Sequence, residues 1–132
     1  MRNAESNERR AGSLEQVMFR FEKLAIWQRS CDVGFQLCLP ADELDDKKLY
    51  RFSEQLRGAA LSISNNIAEG SGSDSSAEFK NFLNYSRRSA FECANMILFF
   101  HRRGYVSNDK REENLRELDE ISKMISAFRK KL

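Results

Sequence analysis

The sequence contains no threonine, and leucine outnumbers valine and isoleucine combined. β-Branched side chains fill the faces of pleated sheets, so a chain this poor in them is not built of strands. What remains is helix, and 132 residues with 41% hydrophobic content suffice for one helical core. The longest uninterrupted apolar run, Met96–Phe100, is far short of the roughly 18–20 residues a membrane span needs. A polar, charged N-terminus lacks the apolar core of a secretory signal. These features predict a soluble, cytoplasmic, all-α protein.

Four amphipathic segments carry the pattern. Residues 1–18 show no apolar stripe and are read as a flexible tail, leaving 19–132 as the bundle. A first helix is expected over Phe19–Leu39, with Phe21, Leu24, Cys31, Phe35 and Cys38 on its inner face and Pro40 as its end. After an acidic connector, a second helix spans about Asp46–Glu69, with Leu49, Phe52, Leu56, Ala59, Ala60, Ile63 and Ile67 as its stripe. Gly70 is expected to end it in a left-handed conformation, and the small run Gly58–Ser62 to admit a close neighbour. Ser75 with Glu78, and Asp109 with Glu112, read as capping boxes that open the third and fourth helices. Short links between long helices predict an antiparallel up-down-up-down four-helix bundle.

The third helix, about Ser76–Arg103, ends in Met96-Ile97-Leu98-Phe99-Phe100, which is apolar on every side. A small bundle covers one face of such a helix, so Met96, Phe99 and Phe100 are expected at a self-association surface. Gly104 should close the helix, with Tyr105 packing back on it.

Three stretches form a specific pattern: Phe21-Glu22-Lys23-Leu24-Ala25-Ile26-Trp27-Gln28, then Gln55-Leu56-Arg57-Gly58-Ala59-Ala60, then Ser62-Ile63-Ser64-Asn65-Asn66-Ile67-Ala68-Glu69-Gly70. With Glu78-Phe79, Phe82-Leu83, Ser89, Glu92 and Gly104-Tyr105, they closely resemble the four-helix bundle family of 23S rRNA intervening-sequence proteins. Gln55, Ser62, Asn66, Ala68, Glu69, Gly70, Ser89 and Glu92 carry the motif. The resemblance implies a homopentamer and a relation to the accessory variability proteins of diversity-generating retroelements. Those bind a reverse transcriptase and nucleic acid on a basic surface. The sequence departs from the pattern at Ser64, where proline is common, at Gly58 and Ser73, where arginine is frequent, and at Arg88, where a glycine is usual.

Chemistry is thinly supplied. The three cysteines are odd in number, and Cys31 and Cys38 sit about 10 Å apart on one helix, too far for a disulfide. Free thiols in a reducing compartment follow. His101, the sole histidine, stands at a helix end, with no closely spaced His/Cys pairs for zinc. No catalytic residue, metal or cofactor is expected. Asn66 and Glu69 are expected to hydrogen-bond between helices or subunits and set their register.

Net charge is +2, so distribution matters more than sum. Basic pairs stand at Arg87-Arg88 and Arg102-Arg103, and Arg129-Lys130-Lys131 nearly ends the chain. Arg57, Lys80, Arg87, Arg88, Arg102 and Arg103 are the candidates for phosphate contact; in a ring of subunits they would repeat into a basic band. Arg87 and Arg88 could equally pair with Glu78 or Glu92 across an interface. The sequence therefore predicts a non-enzymatic, oligomeric RNA- or DNA-binding accessory protein. The alternative is a structural oligomer that docks a protein partner such as a reverse transcriptase without binding nucleic acid itself.

Overall fold

A computed structural model describes residues 16–132; the expected tail therefore lies mostly outside the described residues. Among these, a 3₁₀ turn at Arg20–Lys23 precedes four helices: α1 (Ala25–Asp46), α2 (Tyr50–Ser71), α3 (Ser76–Arg102) and α4 (Asn108–Lys130). Each helix packs on its neighbours in sequence, and α1 closes the ring against α4. The diagonal pairs α1–α3 and α2–α4 do not meet. Four helices pack around one core, in which Val33, Leu44, Leu56, Ile63, Ile67, Leu83, Ile97, Ile121 and Ile125 are wholly enclosed.

Pro40 does not end α1. The helix continues to Asp46, and Pro40 is itself buried. A proline inside a helix removes one backbone donor and crowds the preceding turn, at a cost of about 3 kcal/mol. Burial opposes that cost, because Leu37, Ala41 and Leu44 continue the inner stripe beyond Pro40. The same stripe corrects the expected face. Ile26, Ser30, Val33 and Leu37 point inward, whereas Phe35 is 71% exposed and Cys31 and Cys38 are half-buried. Much of the expected acidic connector is thus helix, and the link to α2 is only Lys47–Leu49.

Gly70 is not a left-handed stop either. It lies buried inside α2, which runs on to Ser71. Its lack of a side chain lets α2 pass closely under Phe79 and Phe82 at the start of α3. A Cβ added at Gly58, by contrast, would meet nothing within 4 Å; the close neighbour expected along Gly58–Ser62 is α1, where a Cβ built at Gly34 would lie 3.8 Å from the Ala60 carbonyl oxygen.

α3 opens at Ser75 as expected, the hydroxyl accepting from the Glu78 amide at 3.2 Å, but the returning bond from the Glu78 side chain that would complete a capping box is not made. α4 is capped by Ser107, which accepts from the Lys110 amide, so the expected Asp109 cap lies two residues too deep, in the first turn of the helix. α3 ends at Gly104 in the left-handed region, with the Tyr105 amide bonded to the Phe100 carbonyl at 2.8 Å.

Most buried serines return their hydroxyls to their own helix, as Ser30 does to Ile26 and Ser122 to Leu118. Ser86 differs. Its hydroxyl crosses from α3 to the Ile63 carbonyl of α2 at 2.7 Å.

Candidate assembly and nucleic-acid surface

On the outer side of the α2–α3 pair, Gln55, Gly58 and Ser62 face Glu92, Asn95 and Met96 across a groove of about 450 Å³. Three of the motif residues, Gln55, Ser62 and Glu92, therefore come together. The others have different work. The Asn66 amide donates to the Ser62 carbonyl at 2.8 Å, and the Ser89 hydroxyl to the Tyr85 carbonyl at 3.1 Å, so both bond within their own helices and not across them. Gly70 serves packing, Ala68 is half-buried and Glu69 is exposed.

Beside the groove, α3 presents Tyr85, Glu92 and Phe99 at seven-residue spacing, which keeps them on one side of the helix. Tyr85 is 47% exposed and Phe99 49%, although the Phe99 ring also meets Phe52 edge-on at 5.9 Å. Phe100 was expected on this surface, yet it is 1% exposed and belongs to the core beneath Phe52. Of the three expected contact residues, Met96 and Phe99 can reach a second chain. Burying Phe100 inside one subunit removes it from that role.

The six basic candidates do not gather on one chain. Arg57 binds Asp42 at 2.5 Å and Asp45 at 2.8 Å, which meets its charge internally. The Arg57 guanidinium and the Ser53 hydroxyl hold the Asp45 carboxyl below its usual range, and Asp45 and Asp42 in turn raise the Arg57 pKa. Lys80 and Arg102 stand at opposite ends of α3, roughly 33 Å apart along the helix rise. The Arg87 guanidinium lies over the Phe91 ring, 5.0 Å from its centroid. Arg88, Arg102 and Arg103 are exposed, and none has an ion pair among the described residues.

Sequence reasoning missed one juxtaposition: Arg87 of α3 and the terminal Lys130 and Lys131 of α4 line one groove between the two helices. The terminal basic run is visible in the sequence, but its neighbour is fixed only by helix packing.

The thiols and the histidine are placed for structure. Burial pushes the Cys93 thiol up to about 12, far from the thiolate needed for nucleophilic attack. Burial also raises Cys31. His101 Nε2 is 2.6 Å from the Asn108 side-chain oxygen, tying the end of α3 to the start of α4. Among the described residues, no three His, Cys, Asp or Glu side chains are grouped to hold a metal ion. No helix among them is long and apolar enough to cross a membrane.

A family model described as 23S rRNA-intervening sequence protein matches residues 22–127, nearly the whole bundle. The chain belongs to that family. Its fold is shared with a crystallised protein of unknown function from the S23 ribosomal protein family of Bacteroides thetaiotaomicron. That structure aligns with a TM-score of 0.76 at 23% identity, covering 80% of this chain and 99% of the other. Among curated proteins none matches. The match to the 23S rRNA-intervening sequence model takes in the α2–α3 groove and ends before Lys130 and Lys131.

Proposed function

We propose that this protein is the antiparallel, up-down-up-down subunit of a homo-oligomer assembled through its α2–α3 face. In this reading the assembly is a non-enzymatic accessory protein that holds RNA or DNA by the phosphate backbone. The antiparallel order is supported by contacts that join opposite ends of consecutive helices. Phe52 meets Phe99 and Phe100, Asp42 and Asp45 hold Arg57, and Arg129 donates to the Lys80 carbonyl. The family resemblance favours five subunits.

One observation carries the assembly: the half-exposed rings of Tyr85 and Phe99 flank a groove made of motif residues and the side-chain-free Gly58. Apolar area next to a notch in a helix surface suits a second helix. Arg88 lies three residues from Tyr85, and Arg102 and Arg103 lie three and four beyond Phe99, so these cations fringe the same face. Symmetry would multiply them into a basic rim that tracks a backbone without reading bases. The family description, with its link to ribosomal RNA, supports a polyanionic partner.

Native mass spectrometry together with fluorescence anisotropy on a labelled RNA 30-mer tests the reading. A multi-subunit mass and an RNA affinity that falls steeply from 50 to 200 mM salt are expected. A monomer would overturn the assembly. An oligomer whose RNA binding is absent or indifferent to salt would instead favour docking of a protein partner such as a reverse transcriptase.

A further inference from the structure

Phe35, in the middle of α1, is 71% exposed, the most of any aromatic ring among the described residues. Leu39 follows it by one helical turn and is exposed too. Leu61 of α2, 60% exposed, stands at about the same height, because Gly34 backs onto the Ala60 carbonyl. Phe35, Leu39 and Leu61 thus form an apolar ridge on the outside of the α1–α2 pair. Single exposed apolar residues are ordinary, but a contiguous group marks a surface that another molecule covers.

The ridge is set in negative charge. α1 carries Asp32, Asp42, Glu43, Asp45 and Asp46, and its one base, Arg29, is engaged by Glu117 and Glu120 of α4. Asp42 and Asp45 hold Arg57. Asp32 and Asp46, which bracket the ridge, are exposed and have no ion pair among the described residues. α3 has the opposite balance, with Lys80, Arg87, Arg88 and Arg102 against Glu78 and Glu92.

The spacing of these charges matches as well. Asp32 and Asp46 lie fourteen residues apart on α1, and Arg88 and Arg102 lie fourteen apart on α3. Fourteen residues are nearly four turns, about 21 Å, so each pair keeps to one side of its helix. In the antiparallel order α1 and α3 run the same way. Heights compare across the bundle through the Gly34–Ala60 approach and the Ser86–Ile63 bond. On that scale Asp32 is within about 3 Å of the level of Arg88, and Asp46 of Arg102. Phe35 is level with Gly58, Ser62 and Glu92 of the α2–α3 groove. A subunit turned about an axis parallel to the helices keeps those heights, so ridge and groove meet without sliding.

We propose that the α2–α3 groove of one subunit receives the Phe35–Leu39–Leu61 ridge of the next, with Asp32 facing Arg88 and Asp46 facing Arg102. The inference rests on the α2–α3 assembly proposed above and adds the face that enters it. A Cβ at Gly58 would meet nothing within 4 Å, which leaves room for the Phe35 ring. Ridge and groove are different surfaces on neighbouring sides of one bundle. Their contact is head-to-tail and closes into a ring, whereas a groove meeting its own copy would stop at a dimer. Arg103 takes no part and is left to the basic rim.

Native mass spectrometry of two full-length variants tests the contact. Phe35→Glu spoils the ridge and Gly58→Trp fills the groove; both positions are exposed, and circular dichroism checks that each variant folds. Each alone should be monomeric. Mixed in equal amounts they should form a one-to-one dimer, since each brings the face that the other lacks. A groove that pairs with its own copy cannot give that result. If Phe35→Glu alone assembles like the parent, the ridge is overturned and the α2–α3 reading stands. If Gly58→Trp assembles, or the parent is monomeric, both fall. Two monomers that stay apart on mixing would also overturn the ridge. Should Gly58→Trp not fold, Tyr85→Glu takes its place. Arg88→Asp should weaken assembly about tenfold and Asp32→Arg on the same chain should recover it; without recovery the alignment is overturned.

Discussion

Lys48 and Gly104 occupy the same position in the same helix-ending motif. At the end of α1 the Lys48 amide bonds to the Asp45 carbonyl at 2.8 Å and the Leu49 amide to Leu44 at 2.9 Å. At the end of α3, Gly104 bonds to His101 at 2.9 Å and Tyr105 to Phe100 at 2.8 Å. Both central residues are left-handed, with φ of 61° at Lys48 and 77° at Gly104. Glycine, having no Cβ to crowd the backbone, adopts that conformation without strain.

Replacing Lys48 by glycine should therefore stabilise the protein by about 1 kcal/mol. Gly104→Ala should destabilise it by a similar amount, about 1 kcal/mol. Thermal unfolding followed by circular dichroism reads both, and the two shifts in Tm should have opposite signs.

Gly58 and Gly70 both sit inside α2, but alanine should act oppositely at the two. A Cβ at Gly70 would lie 2.6 Å from the Phe82 Cβ and 2.8 Å from a Phe79 ring carbon. Gly70→Ala should cost about 1–3 kcal/mol through overpacking, despite the better helix propensity. At Gly58 the added methyl meets nothing within the chain, so Gly58→Ala should stabilise an isolated subunit by about 1 kcal/mol. If Gly58 seats a second subunit, the same variant should also shift the native mass distribution toward monomer.

The Asp45–Arg57 contact predicts an acid limb. Asp45 titrates below its ordinary value of 3.8 because Arg57 and Ser53 favour the carboxylate. The stability it contributes is complete above that value and is lost as pH falls through the lowered one. Asp45→Asn should thus lower Tm at neutral pH, and its difference from the parent should shrink below pH 3.8. A constant difference down to strong acid would contradict the pair.

Thiol labelling separates the cysteines. Cys93 is fully enclosed and its thiol is pushed up to about 12, whereas Cys31 and Cys38 are half-buried. At pH 8 an aromatic disulfide reagent should leave Cys93 untouched until the bundle opens. Its labelling rate should rise with denaturant alongside global unfolding.

The helical class was legible in composition, and the α2, α3 and α4 stripes in their spacing, because Leu56, Ile63, Ile97, Ile121 and Ile125 recur at the helical period. The face of α1 was not. A local rule about proline placed its end at Leu39, and with the Leu37–Ala41–Leu44 continuation discarded, Phe35 and the cysteines looked like the better stripe. Tertiary burial outweighed the local preference. Gly70 shows the same limit: the sequence marks an unusual glycine, but whether it turns the chain or admits Phe79 and Phe82 depends on a neighbouring helix. At the candidate surface, Gln55, Ser62 and Glu92 were visible as a motif, and only packing brings them into one groove. Arg57 carried no sign of its partners, because the Asp42 and Asp45 that neutralise it belong to a turn of α1 that the spacing assigned to a loop.

The Ser86 hydroxyl acts as a detent. The apolar rows of α2 and α3 repeat every three or four residues, so sliding one helix past the other by a turn would exchange similar contacts for similar contacts. The bond from Ser86 to the Ile63 carbonyl has no such tolerance, since it is made in one register and lost in any other. Two outward rows, Gln55–Gly58–Ser62 and Glu92–Asn95–Met96, are thereby kept in step by one atom in the interior. An assembly that reads those rows from outside inherits its alignment from a serine that it never touches.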